Sequence, residues 1–293
     1  MELGAAAALG LALACGVSRV PAEAARGPHD GLHEQIAAVT LKIERQPRDP
    51  ALYLQRANLY RLHRDWDAAV SDLERARERG AGGDQLDLLR GRLYLDLGWL
   101  QSARLFVERY VAAHPRDPAG VELLALALAQ AGQHGAAADR YGELIALSPQ
   151  PLPEYYIARA QARAAVGPEH VDRALAGLDE GVRRLGPIVT LQQLAIELEL
   201  SRGGFDAALE RLATVAAQSG RQERWLLQRG EILLQAGRRA EAREALEACL
   251  EAIAGLRARH RNTQAVLDLK ARAEDLLREL DESRAGRPAP ERP

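Results

Sequence analysis

The chain has 293 residues, a formal net charge of −2 at pH 7, 47% apolar residues and only 4% aromatic residues. Its apolar residues are mostly Ala and Leu and its β-branched residues are scarce, a composition that favours helices and argues against a β-sheet fold. Because a dedicated nucleic-acid-binding protein usually carries a basic surplus, the balanced charge also argues against that class.

Residues 1–24 have the features of an export signal. Residues 3–17 form an uncharged apolar run, which at about 15 residues is shorter than the roughly 20 that a membrane-spanning helix needs. Ala24 ends an A-x-A cleavage pattern, although no Lys or Arg precedes the run. Residues 12–15 (ALAC) also resemble a bacterial lipoprotein signal, in which Cys15 would carry the lipid. We expect export to the periplasm or envelope by either route; a cytoplasmic protein with an apolar N-terminus is the alternative.

An amphipathic helix is predicted at residues 31–45, within an N-terminal capping segment of residues 25–49. Its apolar residues follow one face at helical spacing: Leu32, Ile36, Val39 and Ile43. Terminal helices of this kind cover the exposed end of a helical array and keep it soluble. We therefore interpret the segment as part of the folded array rather than as a linker.

The string HDGLHE at residues 29–34 holds two histidines, His29 and His33, one helical turn apart. Histidines at this spacing can bind a metal ion from one face of a helix. In the simpler interpretation Asp30 caps the helix and both histidines face solvent. We adopt the simpler interpretation and predict no metal site.

Residues 47–50 and 115–118 share the string PRDP at an interval of 68 residues, which is twice 34. Small residues recur with the shorter period, because Ala69, Ala103 and Ala137 are 34 residues apart. Larger side chains lie three residues before each alanine and four residues after it. This period is typical of arrays in which each repeat is a pair of antiparallel helices with small residues where the helices touch.

Each repeat is predicted to contain a first and a second helix. The first helices are placed at residues 50–63, 84–97 and 118–131, and the second helices at residues 66–79, 100–113 and 134–147. Asp49 and Asp117 are predicted N-caps, each followed by a proline at the first helical position. Gly98 and Gly132 are predicted to end first helices. PRDP is therefore predicted to mark the boundary between helix pairs rather than a chemical site.

With small residues, a Gly turn and Pro at fixed offsets, the pattern resembles the tetratricopeptide repeat (TPR) family. Three less regular units follow the first three, and the fourth has a longer turn at residues 167–172. The six units are 50–83, 84–117, 118–151, 153–187, 188–220 and 223–256. The resemblance implies an all-α fold, a right-handed α-solenoid of about six helix-turn-helix repeats with N- and C-terminal capping helices. The whole solenoid would span residues 50–257.

The C-terminal part is predicted to contain a capping helix at residues 258–281 and a disordered, Pro-rich tail at residues 282–293. A basic cluster, Arg257, Arg259 and Arg261, lies near a helix end. Favourable placement against the helix dipole and contact with an acidic partner are both open interpretations. Export by either route leaves Cys249 without a disulfide partner, so we expect a buried thiol on a helix face.

No catalytic chemistry is predicted. The sequence lacks GxSxG, HExxH and CxxC, and the glycine-rich string at residues 80–84 lacks the phosphate-binding pattern GxxxxGK[ST]. The carboxylates scattered through the repeats are expected at solvated helix positions, so no acid–base pair is predicted. We therefore expect a protein that is not an enzyme and uses no cofactor, with a protein partner and no nucleic-acid partner.

The resemblance places partner contacts on the first helices, which line the concave groove in this family. The groove positions mix apolar and polar side chains, as expected for binding an extended peptide or a helix. They are Leu54, Asn58, Arg61, Leu88, Arg92, Leu95, Leu126, Gln130, Ile157, Gln161, Glu231 and Leu234. Some family members clamp a C-terminal carboxylate with Lys and Asn at set positions. Asn58 matches one of these, but Leu54 and Leu89 occupy the others, so a carboxylate clamp is not expected.

The function that follows is a non-catalytic interaction scaffold that binds a peptide or helix of a partner protein in the groove. The alternative is an envelope-anchored structural or assembly factor, lipidated at Cys15, in envelope biogenesis or secretion. In that alternative, contact with the membrane runs only through the N-terminal lipid. The two functions differ in whether Cys15 carries an acyl chain.

Overall fold

The structure, a computed structural model, describes residues 28–285 and, within them, the side chains of residues 31–282. The described chain is all α-helical apart from its connecting turns, as predicted, with one short 3-10 turn at Pro168–His170. The predicted export signal, including Cys15, lies outside the described residues. Among the described helices, none combines the length and the apolar character needed to cross a bilayer.

Fifteen α-helices follow one another over the described residues, and they pack pairwise as helix-turn-helix repeats. They are α1 (Pro28–Arg45), α2 (Pro50–His63), α3 (Trp66–Glu78), α4 (Gly83–Asp96), α5 (Leu100–Ala113), α6 (Pro118–Gln130), α7 (His134–Leu147), α8 (Pro153–Val166), α9 (Val171–Leu185), α10 (Val189–Ser201), α11 (Phe205–Ala216), α12 (Glu223–Gln235), α13 (Arg239–Ala254), α14 (Ala258–Arg261) and α15 (Gln264–Ala285). The predicted bounds of the six helices α2 to α7 agree with these to within one residue. Helix α15 continues to Ala285, so residues 282–285, expected in the tail, are helical.

The PRDP strings lie at boundaries between helix pairs, as predicted. The Asp49 side chain accepts a hydrogen bond from Ala51 N at 2.9 Å, and the Asp117 side chain accepts one from Ala119 N at 3.2 Å. Proline follows each aspartate at the start of α2 and α6. Because Tyr110 also donates its hydroxyl to Asp117 Oδ2 at 2.5 Å, the second cap is tied to the end of α5.

By its internal contacts the described chain divides into two compact units, with the division between Leu89 and Arg90. The first unit contains α1, α2, α3 and the start of α4. Its core is apolar and is supplied mainly by three helices: Val39 and Ile43 from α1, Tyr53, Ala57 and Leu59 from α2, and Ala69, Leu73 and Ala76 from α3. Amphipathic helix α1 therefore packs as part of the fold, as its apolar face predicts.

A buried ion pair crosses the core of the first unit. Arg56 on α2 donates to both oxygens of Asp72 on α3, at 2.6 and 2.9 Å, and to Thr40 Oγ1 on α1 at 3.0 Å. The hydrogen bonds to Asp72 raise the pKa of Arg56 above its ordinary value. Asp72 is fully buried, at 0% exposure. Through these bonds the guanidinium of Arg56 joins α2 to α3 and α1.

Our expectation that the repeat carboxylates are solvated was therefore wrong for part of the set. Among the side chains that the structure describes, four acidic residues are buried: Asp72, Asp87, Glu199 and Glu223. A buried carboxylate needs a positive or hydrogen-bonding partner to offset its desolvation. In the second unit Glu199 has such partners, because Arg202 donates to it at 2.7 Å.

In the second unit, from Arg90 onward, paired helices approach each other closely. The small residues of its second helices are fully buried: Ala103, Ala137, Ala174, Ala208 and Ala242. At three positions on the first helices an added β-carbon would force a neighbouring side chain to move. It would lie 2.3 Å from Val107 Cγ2 at Gly91, 2.7 Å from Tyr110 Cδ1 at Gly120 and 2.7 Å from Leu246 Cδ2 at Gly230. Glycine at these positions therefore lets the helices approach closely.

At the C-terminal end, α15 packs against α12 and α13 and closes the core there. The apolar residues that α15 contributes are Val266, Ala273, Leu276 and Leu280. The short helix α14, which precedes it, was not predicted as a separate element. It carries Arg259 and Arg261 of the basic cluster, while Arg257 is its N-cap residue.

Candidate partner-binding site

In the first unit, α2 presents three of the predicted groove residues on one face. Leu54 and Asn58 are four residues apart and Arg61 follows after three more, a spacing that puts them side by side on a helix. All three are partly exposed. Arg61 Nε donates to Asn58 Oδ1 at 3.1 Å, so the two polar side chains hold each other in place. Leu88, on α4, is also partly exposed.

In the second unit, α6 and α8 present predicted groove residues at the same four-residue spacing. Leu126 and Gln130 on α6 are exposed, and 39% of Leu126 is accessible. On α8, Ile157 is partly exposed and Gln161 is exposed. Each of these helices therefore exposes one apolar and one polar side chain.

The remaining predicted groove residues lie on α4 and α12. They are less exposed than Leu126, Gln130 and Gln161. Arg92 is partly exposed, but Leu95 is buried, with 6% exposure. Glu231 and Leu234 on α12 are partly exposed. Arg272 Nε on α15 donates to Glu231 Oε1 at 3.2 Å, so the C-terminal helix reaches onto this part of α12.

A cleft between α11 and α12, with a volume of about 720 Å³, was not predicted from the sequence. Its apolar wall includes Leu209 and Leu212 on one side and Trp225 and Leu226 on the other. Gln222 also lines the cleft, and its amide donates to the carbonyls of Ala216 and Ser219 at 2.9 and 2.8 Å. A cleft with an aromatic wall can accept one large apolar side chain.

Charged side chains also line this cleft: Asp206, Glu210, Arg229 and Arg238. Arg238 Nη1 donates to Asp206 at 2.7 Å, and its other nitrogens donate to both oxygens of Glu241 at 2.7 and 2.6 Å. The bonds from Arg238 lower the pKa of Glu241, so this carboxylate stays ionised over a wider pH range. Arg238 thus holds charges of both signs beside the apolar side chains that line the cleft.

Two other motifs singled out in the sequence, HDGLHE and the basic cluster, lie in α1 and around α14. His29 and Asp30 belong to α1, but their side chains lie outside the described ones. Over the described residues, no group of three or more His, Cys, Asp or Glu side chains is close enough to hold a metal ion. The basic cluster is exposed. Arg261 Nη1 donates to the carbonyl of Ala254, the last residue of α13, at 3.1 Å and so caps that helix.

Cys249 is buried, as predicted, with 0% exposure on α13. Its thiol donates to the carbonyl of Glu223 at 3.1 Å. Burial, with a smaller effect of the nearby Glu223 charge, raises the pKa of Cys249 to about 11. Because a thiol needs ionisation and access to react, this cysteine serves packing rather than chemistry.

Comparison with known proteins agrees with the helix-pair architecture. Residues 224–254, which form most of α12 and α13, match the family model described as tetratricopeptide repeat. Among curated proteins, none matches the sequence at a significant level.

Two solved structures show the same arrangement of helices at low sequence identity. The C-terminal part of a TPR repeat-containing protein from Cytophaga hutchinsonii is 14% identical, with a TM-score of 0.61 over 82% of this chain and 95% of that chain. A tetratricopeptide repeat protein from Parabacteroides merdae ATCC 43184 is 13% identical, with a TM-score of 0.51 over 83% of this chain and 92% of that chain. The chain therefore has the tetratricopeptide-repeat fold, and its residues 224–254 match that family's model.

Proposed function

We propose that the chain is a non-catalytic scaffold that binds a peptide or helix of a partner protein along its first helices. Leu126 on α6 carries this proposal. The other leucines of α6, Leu123, Leu124 and Leu128, are 4–7% exposed, whereas Leu126 is 39% exposed. The exposed part of the Leu126 side chain adds little to folding stability and is available to a partner's apolar side chain.

The accessible side chains on the first helices support the same function in each unit. They alternate apolar and polar groups at one-turn spacing, which suits an amphipathic helix or an extended peptide. Because helix packing already fixes these positions, binding orders little on the scaffold side. We expect a dissociation constant in the micromolar range, which corresponds to roughly −8 kcal/mol.

The α11–α12 cleft supplies a second contact for the same partner class. Binding energy in protein interfaces concentrates where a large side chain fills a pocket that polar residues surround. The cleft is lined by apolar side chains such as Trp225 and by charged ones, including Arg229 and Glu210. We expect it to accept an aromatic or aliphatic anchor residue.

Site-specific photo-crosslinking tests the proposal. A photoreactive amino acid is placed at Leu126, or at Asp139 as a matched control that is exposed on the second helix α7. After irradiation in an extract of the source organism, position 126 should give a defined adduct with one protein, and position 139 should not. Identical adducts at both positions, or no adduct at either, would contradict binding along the first helices.

The N-terminal sequence supports a second candidate, an envelope-anchored assembly factor. The string at residues 12–15 ends in Cys15, the residue that a lipoprotein signal would modify. Labelled palmitate should then be incorporated by the wild type and lost in Cys15→Ser. A wild type without label, recovered from the periplasm with cleavage after Ala24, favours an exported, unanchored scaffold. Retention of the whole chain in the cytoplasm contradicts both forms of export.

A further inference from the structure

Two histidines from different helices meet in the first unit. His33 lies near the start of α1, and His63 is the last residue of α2. Their Nε2 atoms are 3.1 Å apart, while their ring centroids are 4.3 Å apart with the planes inclined at 64°. Since the nitrogens are closer than the centroids, the two rings converge towards their Nε2 ends.

This separation of the two nitrogens fits two ligands of one metal ion. An imidazole nitrogen lies about 2.0–2.1 Å from Zn²⁺, so two such ligands are about 2.9 Å apart at a right angle and about 3.4 Å apart at a tetrahedral angle. The observed 3.1 Å lies between these limits. The two nitrogens are therefore at a separation that one shared ion can span.

Without an ion, the same contact is a hydrogen bond between one protonated and one unprotonated Nε2 atom. The pair is also accessible to an ion from solvent, because His33 is exposed and His63 is partly exposed.

We propose that His33 and His63 bind one late first-row transition metal ion, such as Zn²⁺, Ni²⁺ or Cu²⁺. Imidazole is a preferred ligand of these ions, and water completes the coordination that two side chains leave open. The ion links the first turns of α1 to the end of α2. Because it binds the folded pair and not the separated helices, it stabilises the attachment of α1 to the first repeat.

The test uses the full chain without an affinity tag that contains histidine. Isothermal titration with ZnCl₂, NiSO₄ or CuSO₄ alone measures affinity and stoichiometry, and thermal unfolding with and without the ion measures the stabilisation. We expect one ion per chain. His33→Ala and His63→Ala should each weaken binding by about 10-fold or more. Even mutation of a residue that only hydrogen-bonds to a metal ligand lowers metal affinity by about 10-fold or more.

His134→Ala, at the start of α7, is the matched control and should bind the ion like the wild type. Circular dichroism in EDTA checks that each variant folds, and His63→Gln retains more of the side-chain volume. Absence of one-to-one binding, or equal binding by wild type, His33→Ala and His63→Ala, would overturn the proposal.

Discussion

Replacing Gly91 with alanine tests the close approach of α4 and α5. The new β-carbon would lie 2.3 Å from Val107 Cγ2 and 3.5 Å from Leu123 Cδ2. The first distance is well below van der Waals contact. Val107 is 0% exposed and β-branched, so it has one favoured rotamer in a helix and little space for another. The helices must therefore move apart or Val107 must adopt a strained conformation.

Two opposing contributions set the size of the effect. Adding a methyl group to a filled core costs about 1–3 kcal/mol. Replacing glycine with alanine inside a helix stabilises the folded state by about 0.8–1.0 kcal/mol, because alanine has the higher helix propensity. The net effect of Gly91→Ala on the free energy of unfolding is thus a loss between about 0 and 2 kcal/mol.

Gly142→Ala is the matched control. Gly142 lies in the interior of α7, and a β-carbon added there would have Arg159 Cδ as its nearest neighbour, at 4.0 Å, an ordinary contact. Only the propensity contribution remains at this position, so this variant should be more stable than the wild type by about 0.5–1 kcal/mol. The two substitutions are chemically identical and should have opposite signs.

Urea unfolding followed by circular dichroism measures both variants. Because a repeat array need not unfold in one step, the comparison uses the midpoint of each resolved transition rather than one extrapolated free energy. Gly91→Ala should lower the midpoint and Gly142→Ala should raise it. If both raise it equally, α4 and α5 do not approach as closely as described, and the assignment of Gly91 to the helix contact is wrong.

Two further predictions concern buried ionisable groups. Asp72→Ala leaves Arg56 buried without its carboxylate and should destabilise the chain by about 3–5 kcal/mol in urea unfolding; an unchanged midpoint would contradict the buried pair. Burial raises the pKa of Cys249 to about 11, above the roughly 8.5 of an unfolded thiol. The folded state thus holds the proton more tightly, and this contribution to stability is lost as pH rises from about 8.5 towards 11. The wild type should therefore lose stability relative to Cys249→Ala over that range, and a constant difference would refute the shift.

The helix pairs were predictable because their signal is local and repeated. Ala69, Ala103 and Ala137 are each at most 1% exposed, and their common interval indicates where helices touch. Asp49 and Asp117 were predictable as caps because capping needs only the residues that follow them. Short-range rules of this kind depend little on the rest of the fold.

The buried charges were not predictable, because a charged residue on a helix usually faces water. Asp72 lies three residues after Ala69, and its burial depends on Arg56 reaching it from another helix. The His33–His63 contact and the α11–α12 cleft depend in the same way on how neighbouring helices are placed. The sequence pattern specifies that helices pair, but their distance and relative shift come from the packing of whole side chains.

The most direct test of the scaffold proposal measures how tightly the partner segment crosslinked at residue 126 binds the full chain. Fluorescence anisotropy with that labelled segment should give a micromolar dissociation constant for the wild type. Leu126→Arg should weaken binding by about 10-fold or more, which corresponds to about 1.4 kcal/mol or more. Asp139→Arg, the same change on an exposed second-helix position, should bind like the wild type. Equal affinity of all three proteins would contradict the account.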